Sequence, residues 1–293
     1  MLGYVSKEDV LKVIYEIATT QRDYGNRSER KLSRLKYTMD RMGVENFKQE
    51  VEKRSGIVFQ KAKRADFKYR HDEYGWHKNH EGLWYYTAFV ESGRILDDDN
   101  VQLKTALYEI AKTGKGQFRF TCNQNIIVSD IRDEDKNEVE NILNKYGVIL
   151  HTNNASQIRK NSIACVAFNT CPLALAEAQR YLPSLITKFE TLLAKYQLQN
   201  EGISVRMTGC PNGCGRPYIS EIGFVGTAYG RYNMHLGADV LGTRLNKLYK
   251  ENIDEAEILS EVDALLNRFS GKRKKNESFG DFVVRERIVE PHP

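Results

Sequence analysis

The sequence predicts an α+β protein in which a helical opening segment is followed by two sheet-containing modules. Three patterns carry this expectation. Strand-like and helix-like stretches alternate through residues 83–155, a second alternation begins near residue 156, and the first 60 residues have helical periodicity without a strand pattern. At 293 residues the chain is long enough for more than one core. Its 44 Lys and Arg are interspersed with 39 Asp and Glu, a balance too even for a nucleic-acid surface. No apolar run approaches the ~20 residues that cross a bilayer, and charges interrupt the apolar positions of MLGYVSKEDVLKVIYEIATTQ, unlike a secretory signal. The expectation is a cytoplasmic protein with reduced thiols and with neither a nucleic-acid nor a membrane partner.

Ser6 reads as the cap of a first helix, with Glu8 and Asp9 in its first turn and Val10, Leu11, Ile14, Tyr15 and Ile17 at helical spacing. QRDYGNRSERKLSRLKY is then unusually basic. Arg22, Arg27, Arg30, Lys31, Arg34 and Lys36 crowd together, and on a helix Arg27, Arg30 and Arg34 share one face. Such a stripe is either a solvated face or a site for a polyanion, because guanidinium pairs bidentately with carboxylate or phosphate. A second amphipathic helix runs from Val44 to Arg54, and the polar residues 61–82 read as a linker.

In the first module, LWYYTAFVESGRIL is a strand or hairpin ending in a turn, and LKTALYEIAKTG is a helix stopped by Gly114. FRFTCNQNIIVSDI is a second strand region, with Cys122 read as a small core residue, and DEDKNEVENILNKYG is a helix ending at Gly147. In the second module, CPLALAEAQRYLPSLITKFETLLAKYQ is mainly helical, with Pro172 early and Pro183 interrupting it. SVRMTGCPNGCGRPYISEIGFVG runs strand, cysteine loop, helix start and strand. RYNMHLG adds a strand, DEAEILSEVDALLNRFSG forms a helix on Ile258, Val262, Leu265 and Leu266, and FVV near the end reads as a last short strand.

Four of the five cysteines fall in two motifs, Cys165 and Cys171 in ACVAFNTC and Cys210 and Cys214 in GCPNGCGRP. Structural zinc sites favour C-x2-4-C knuckles. The first pair is wider than that, and the second lies in a Pro- and Gly-rich loop that brings backbone amides near the sulfurs. A [4Fe–4S] cluster accepts wider pairs and needs amide donors to offset its negative charge, so spacing favours a cluster over zinc. Buried small cysteines or disulfides are the plainer alternative.

These motifs, ACVAFNTCPLALAEAQRYLP and VRMTGCPNGCGRPYISEIGFVG, resemble the haemoprotein (β) subunits of assimilatory sulfite reductases, within the wider sulfite and nitrite reductase family. TTQRDYGNR, ESGRILDDDNVQLKT, FRFTCNQN, GRYNMHLG and FGDFVVR are similar to the same subunits, in the same order. The resemblance implies a [4Fe–4S] cluster on Cys165, Cys171, Cys210 and Cys214, with Cys214 also the axial ligand of a sirohaem iron and the residue most directly engaged in catalysis. It implies six-electron reduction of sulfite to sulfide, in sulfate assimilation toward cysteine biosynthesis. Sirohaem carries eight carboxylates, which gives Arg27, Arg30, Arg34 and Lys36 a cofactor-binding reading; Gln124 and Asn125 are similar in position to polar residues that contact the macrocycle, and Asn212 lies inside the cysteine loop.

The domain plan that follows is a helical segment (1–60) completing a haem domain whose first half is absent, the linker (61–82), a ferredoxin-like sulfite/nitrite reductase half-domain (83–155), and a mixed α/β [4Fe–4S]- and sirohaem-binding domain (156–293). The family's β subunit is about twice this length, and this chain resembles its second half, whereas the residues that bind sulfite come mainly from the first. The expected partners are sulfite, a first-half polypeptide, and an NADPH-dependent flavoprotein (α) subunit, since the chain has no Gly-rich nucleotide fingerprint of its own. Sirohaem nitrite reduction, a non-catalytic iron–sulfur fragment and a zinc module are the other readings. His71, His77, His80, His151, His235 and His292 lie outside the cysteine motifs and none is assigned as a general acid or base.

Overall fold

A computed structural model describes residues 2–63 and 67–290. The chain divides into two compact units, residues 1–67 and 68–293.

The first unit is helical, as expected: α1 (Val10–Tyr24), α2 (Leu35–Met42) and α3 (Val44–Ser55). Ser6 Oγ accepts from the Asp9 amide at 3.2 Å, capping the turn that leads into α1. The core of the unit is Val13, Phe47 and Val51, with Ile17, Met39 and Met42 packed against them. The apolar stripe expected to bury α1 does so only at Ile17. Leu11, Ile14 and Tyr15 are exposed, while Val13, Ile17 and Thr20, which fall on one side at 100° per residue, form the inner face. The basic segment is not a helix either. Asn26 Oδ1 accepts from the amides of Ser28 (2.9 Å) and Glu29 (3.0 Å), and this local turn competes with helical hydrogen bonding. Arg27 is therefore in a loop, Arg30 begins a single 3-10 turn, and Arg34 is the N-cap of α2, so the three share no helix face.

The second unit opens with β1 (Gly75–Lys78), which lies inside the stretch expected to be a linker; four residues with one large apolar side chain gave little strand signal. With β2 (Trp84–Ala88), β3 (Gln117–Phe120) and β4 (Ile126–Ile131) it forms an antiparallel sheet in the order β1-β2-β4-β3. Between these strands and after them come α4 (Leu103–Thr113), α5 (Lys136–Lys145), α6 (Val148–Asn154) and the single turn α7 (Gln157–Lys160). Tyr86, Ala88, Ile126, Val128 and Ile131 of the sheet pack against Leu103, Ala106, Ile110, Val139 and Leu143 of the helices, the arrangement of a ferredoxin-like half-domain. Gly114 takes φ +68° and stops α4 as expected, since this left-handed conformation is cheap only without a Cβ.

The second sheet has the order β5-β6-β7-β8-β9: β5 (Ser162–Ala164), β6 (Val205–Thr208), β7 (Ile222–Ala228), β8 (Arg231–Leu236) and β9 (Lys247–Ile253). β5, β6 and β7 are parallel and the other neighbours antiparallel. α8 (Leu182–Lys195) and α9 (Glu255–Lys272) cover it, burying Leu185, Ile186 and Phe189 of α8 and Ile258, Val262, Leu265 and Leu266 of α9 against Val205, Met207 and Phe224. A capping box starts α9: Asp254 accepts from the Glu257 amide and Glu257 accepts from the Asp254 amide, at 3.1 and 2.9 Å.

Two expectations fail here. Pro183 does not interrupt a long helix but sits in the first turn of α8, where its missing N–H is harmless, and residues 172–181 are irregular. The terminal FVV is not a strand but part of α10 (Phe279–Arg285), capped by Ser278 Oγ on the Asp281 amide, with Phe279, Phe282 and Val283 buried. Among the described residues no helix is long and apolar enough to cross a membrane. His292 lies outside the described residues.

Candidate cluster site at the strand ends

Cys165 directly follows β5, and Cys210 comes just after its parallel neighbour β6. In open sheets with parallel strands, ligands gather beyond the carboxyl ends of the strands, where chain leaves one layer for another. Parallel neighbours also need a crossover of a dozen or so residues. Between β6 and β7 that crossover is residues 209–221, so the cysteine loop takes the place usually held by a helix.

Backbone groups tie the two cysteine segments together. The Gly209 amide donates to Cys165 Sγ at 3.1 Å and Thr208 Oγ1 to the same sulfur at 3.5 Å. The Gly209 carbonyl accepts from the amides of Leu175 (2.8 Å) and Ala176 (3.0 Å), beyond Cys171. This explains why residues 172–181 are not helical: their amides are spent across the loop rather than along a helix. Only glycine fits at the crossing point, because a Cβ on Gly209 would lie 2.6 Å from the Ala176 carbonyl oxygen and 2.9 Å from the Ala167 Cβ. Gly215 is equally confined, its Cβ position 2.3 Å from the Met207 oxygen, and Gly213 turns the loop at φ +72°.

All five cysteines are free thiols, so the disulfide alternative is set aside. Cys210 is buried, Cys165 and Cys171 are half-buried, and Cys214 is exposed. Among the described residues no three His, Cys, Asp or Glu side chains are arranged to hold a single metal ion. A four-iron cluster asks for something different, one thiolate at each of four separated corners, with amide donors to the sulfurs. Four thiols on adjacent strand-end loops, one already receiving two hydrogen bonds, fit that demand better than tetrahedral zinc.

Cys122 is not a core residue of a strand. It is exposed in the turn between β3 and β4, where its carbonyl accepts from Arg216 Nη2. That turn also carries Gln124, whose Nε2 donates to the Ala164 carbonyl at 2.8 Å and whose Oε1 accepts from the Ala164 amide at 3.3 Å, one residue before Cys165. Asn125 is 2% exposed, and its side chain accepts from the Val90 amide (2.9 Å) while donating to Asp72 (2.7 Å) and Tyr74 (3.0 Å). Its polar atoms are thus already engaged within the protein. Asn212 is exposed within the cysteine loop. Arg27, Arg30, Arg34 and Lys36 are exposed in the first unit.

Four contributors were not singled out from the sequence. Gly209 was read only as part of a glycine-rich loop. Arg216, held at φ +55°, reaches the half-domain turn. Gln179 Nε2 donates to the Ser92 carbonyl at 2.8 Å, a further polar stitch between the modules. Tyr218 packs beside the loop, and burial followed by the nearby Cys210 pushes its phenol pKa up.

With a sheet whose strand-end loops present four thiols, preceded by a ferredoxin-like half-domain, this chain is similar to the nitrite and sulfite reductase family. Residues 1–59 match the family model described as the nitrite and sulphite reductase 4Fe-4S domain, and residues 77–146 match the nitrite/sulfite reductase ferredoxin-like half domain. The cysteine motifs lie outside those two stretches but inside the longer alignments to relatives. The chain is 60% identical over 289 residues to the sulfite reductase [NADPH] hemoprotein beta-component of Leptospira biflexa, covering 99% of this chain and 52% of the relative. It is 51% identical over 288 residues to that of Zymomonas mobilis, covering 98% and 50%. The chain therefore spans about half the length of the curated relatives it matches. The Mycobacterium tuberculosis NirA protein has the same fold, with a TM-score of 0.80 at 25% identity over 98% of this chain and 54% of that one.

Proposed function

We propose that this chain supplies the cluster ligands and part of the sirohaem pocket of a sulfite reductase haemoprotein that takes sulfite to sulfide in sulfate assimilation, acting together with a first-half polypeptide. The observation that carries this reading is the pair of cysteine segments locked together at the ends of β5 and β6 through Gly209. Cys165, Cys171, Cys210 and Cys214 hold the [4Fe–4S] cluster. When bound, the cluster and sirohaem supply stored electrons next to the metal that receives sulfite. Cys214 is exposed, so its thiolate would be accessible to sirohaem as well as to the cluster. Cys210 is buried and would hold the cluster only. The Gly209 amide and Thr208 hydroxyl stabilise negative charge on Cys165 Sγ. Arg27, Arg30, Arg34 and Lys36 provide cations for the carboxylates of sirohaem, and Asn212 offers an exposed polar side chain within the cysteine loop. Gln124 and Asn125 act by holding the half-domain turn and β5 in place. The flavoprotein partner, NADPH as electron source and a cytoplasmic setting complete the proposal.

Protein purified without oxygen tests it. Sirohaem gives an intense Soret band with a separate visible band, a bare cluster gives a broad shoulder, and zinc gives no colour. Colourless protein with stoichiometric zinc would overturn the proposal. Cys214→Ser, assayed with the first half supplied and reduced methyl viologen as donor, is expected to abolish sulfite reduction. Turnover equal to the unaltered protein would remove the bridging role. Nitrite reduction is the second reading, because both family models carry both substrate names. Comparing nitrite and sulfite rates in the same assay separates the two.

A further inference from the structure

A buried cation lies on β6, outside the chemistry assigned above. Val205 and Met207 point into the helical core, and Arg206 between them points to the opposite face of the sheet. Arg206 is 3% exposed, and its Nε and Nη1 find no partner among the described residues. The same cavity, about 40 Å³, is also lined by Arg70, Lys160, Asn161, Ser204 and Glu221. Arg70 Nη1 and Nη2 are likewise buried and without a partner among the described residues. The guanidinium of Arg70 packs against Gly242, where a Cβ would come within 2.1 Å of Nη1.

Glu221 and then Asp239 lie close enough to Arg70 to offset part of its charge, but neither hydrogen-bonds to Arg70 or Arg206 among the described residues. The Glu221 oxygens accept from the Gly280 amide (3.0 Å) and from the Ser204 amide (2.8 Å) and hydroxyl (3.2 Å). Asp72, which also borders the cavity, accepts from Thr121, Asn123 and Asn125. Burial, with Arg70 and then Arg216 nearby, pulls the Arg206 pKa down to about 9, a measure of how poorly the charge is compensated. Unpaired buried guanidinium groups are costly, and an anion between them removes the cost. The cavity exceeds the ~10–15 Å³ that one water requires. It adjoins a groove of about 630 Å³ that shares His71, Asn161 and Glu221 with it and is bordered by Arg273, Lys274 and Lys275 and by Glu201 and Glu277.

We propose that Arg70 and Arg206 form a binding site for a small inorganic oxyanion of the phosphate or sulfate kind. The bound anion fastens the segment leading into β1 to the strand that delivers Cys210. This site does not depend on the function proposed above.

Isothermal titration of inorganic phosphate into the full chain at low salt tests it, alongside thermal unfolding with and without phosphate. The expected result is one saturable event that raises the Tm of the unaltered protein. Arg206→Lys retains part of the affinity. Arg206→Met loses at least tenfold, yet without phosphate it unfolds at a temperature no lower than the unaltered chain, because a buried unpaired charge has been removed. Arg70→Met gives the same loss and serves if Arg206→Met does not fold. No saturable binding to the unaltered chain, or equal phosphate affinity in either methionine variant, overturns the proposal.

Discussion

Gly209→Ala is the sharpest test of how the cysteine loops are held. The added methyl would lie 2.6 Å from the Ala176 oxygen, 2.9 Å from the Ala167 Cβ and 3.3 Å from the Ala174 Cβ, so residues 167–176 and 209 must separate. Overpacking of this kind costs about 2 kcal/mol. Separation also lengthens the hydrogen bond from the Gly209 amide to Cys165 Sγ and the two onto the Gly209 carbonyl; weakening each of these by part of the about 1 kcal/mol of a typical bond adds about 2 kcal/mol together. A total of about 4 kcal/mol lowers the Tm of a unit of this size by about 10 °C. Because the displaced groups carry Cys165 and Cys171, iron and acid-labile sulfide per chain should fall well below the unaltered protein after anaerobic reconstitution. Gly271→Ala is the matched control. It lies in α9 with nothing within 4 Å of its Cβ position, and alanine there is expected to be neutral or mildly stabilising. Equal cluster content and equal Tm for Gly209→Ala and Gly271→Ala would refute the steric argument.

Asn125→Asp places a carboxylate beside Asp72 and leaves the Tyr74 hydroxyl without its amide donor; we expect a loss of about 3 kcal/mol in urea unfolding, and a loss under about 1 kcal/mol would mean that the turn is not held by this network. Cys122→Ser should leave iron and sulfide content unchanged, because Cys122 is an exposed turn residue; a fall in either would make it a ligand. In the first unit, hydrogen bonds from Arg22 and then Arg54 lower the Asp23 pKa to about 2. With the folded-state pKa below the unfolded value, the stabilisation is present above the ordinary carboxylate range and is lost as the pH falls from there toward about 2. Asp23→Asn should therefore flatten the acid limb of helicity followed by circular dichroism, and superimposable acid titrations would count against the pairing.

Where local pattern and tertiary demand agreed, the sequence was readable. α4, α5 and α9 follow their apolar periodicity, and the cysteine motifs fall at strand ends where a ligand can be shared. The misreadings have physical causes. Residues 172–181 have helical composition, but Leu175 and Ala176 give their amides to Gly209, a partner many residues away that no local window contains. FVV is too short for a period to separate strand from helix, and the deciding groups are Ser278 as cap and Glu221, which accepts from the Gly280 amide. In the basic segment the spacing of Arg27, Arg30 and Arg34 matched one helix face, but the Asn26 side chain holds a turn there instead. The unpaired guanidinium groups of Arg70 and Arg206 were invisible for a related reason: burial of a charge on an otherwise apolar strand is known only once the second layer is in place.

β5 is a three-residue strand at the margin of its sheet, paired on one side by β6. An uncovered margin of this kind invites another chain to add itself as the next strand. Here the carboxamide of Gln124 meets both backbone groups of Ala164, as a neighbouring peptide would. The half-domain turn thus stands in for a missing strand and closes the margin to intermolecular pairing beside Cys165. Removing that amide would first appear as concentration-dependent self-association of the chain, while the thiol ligands themselves remained intact.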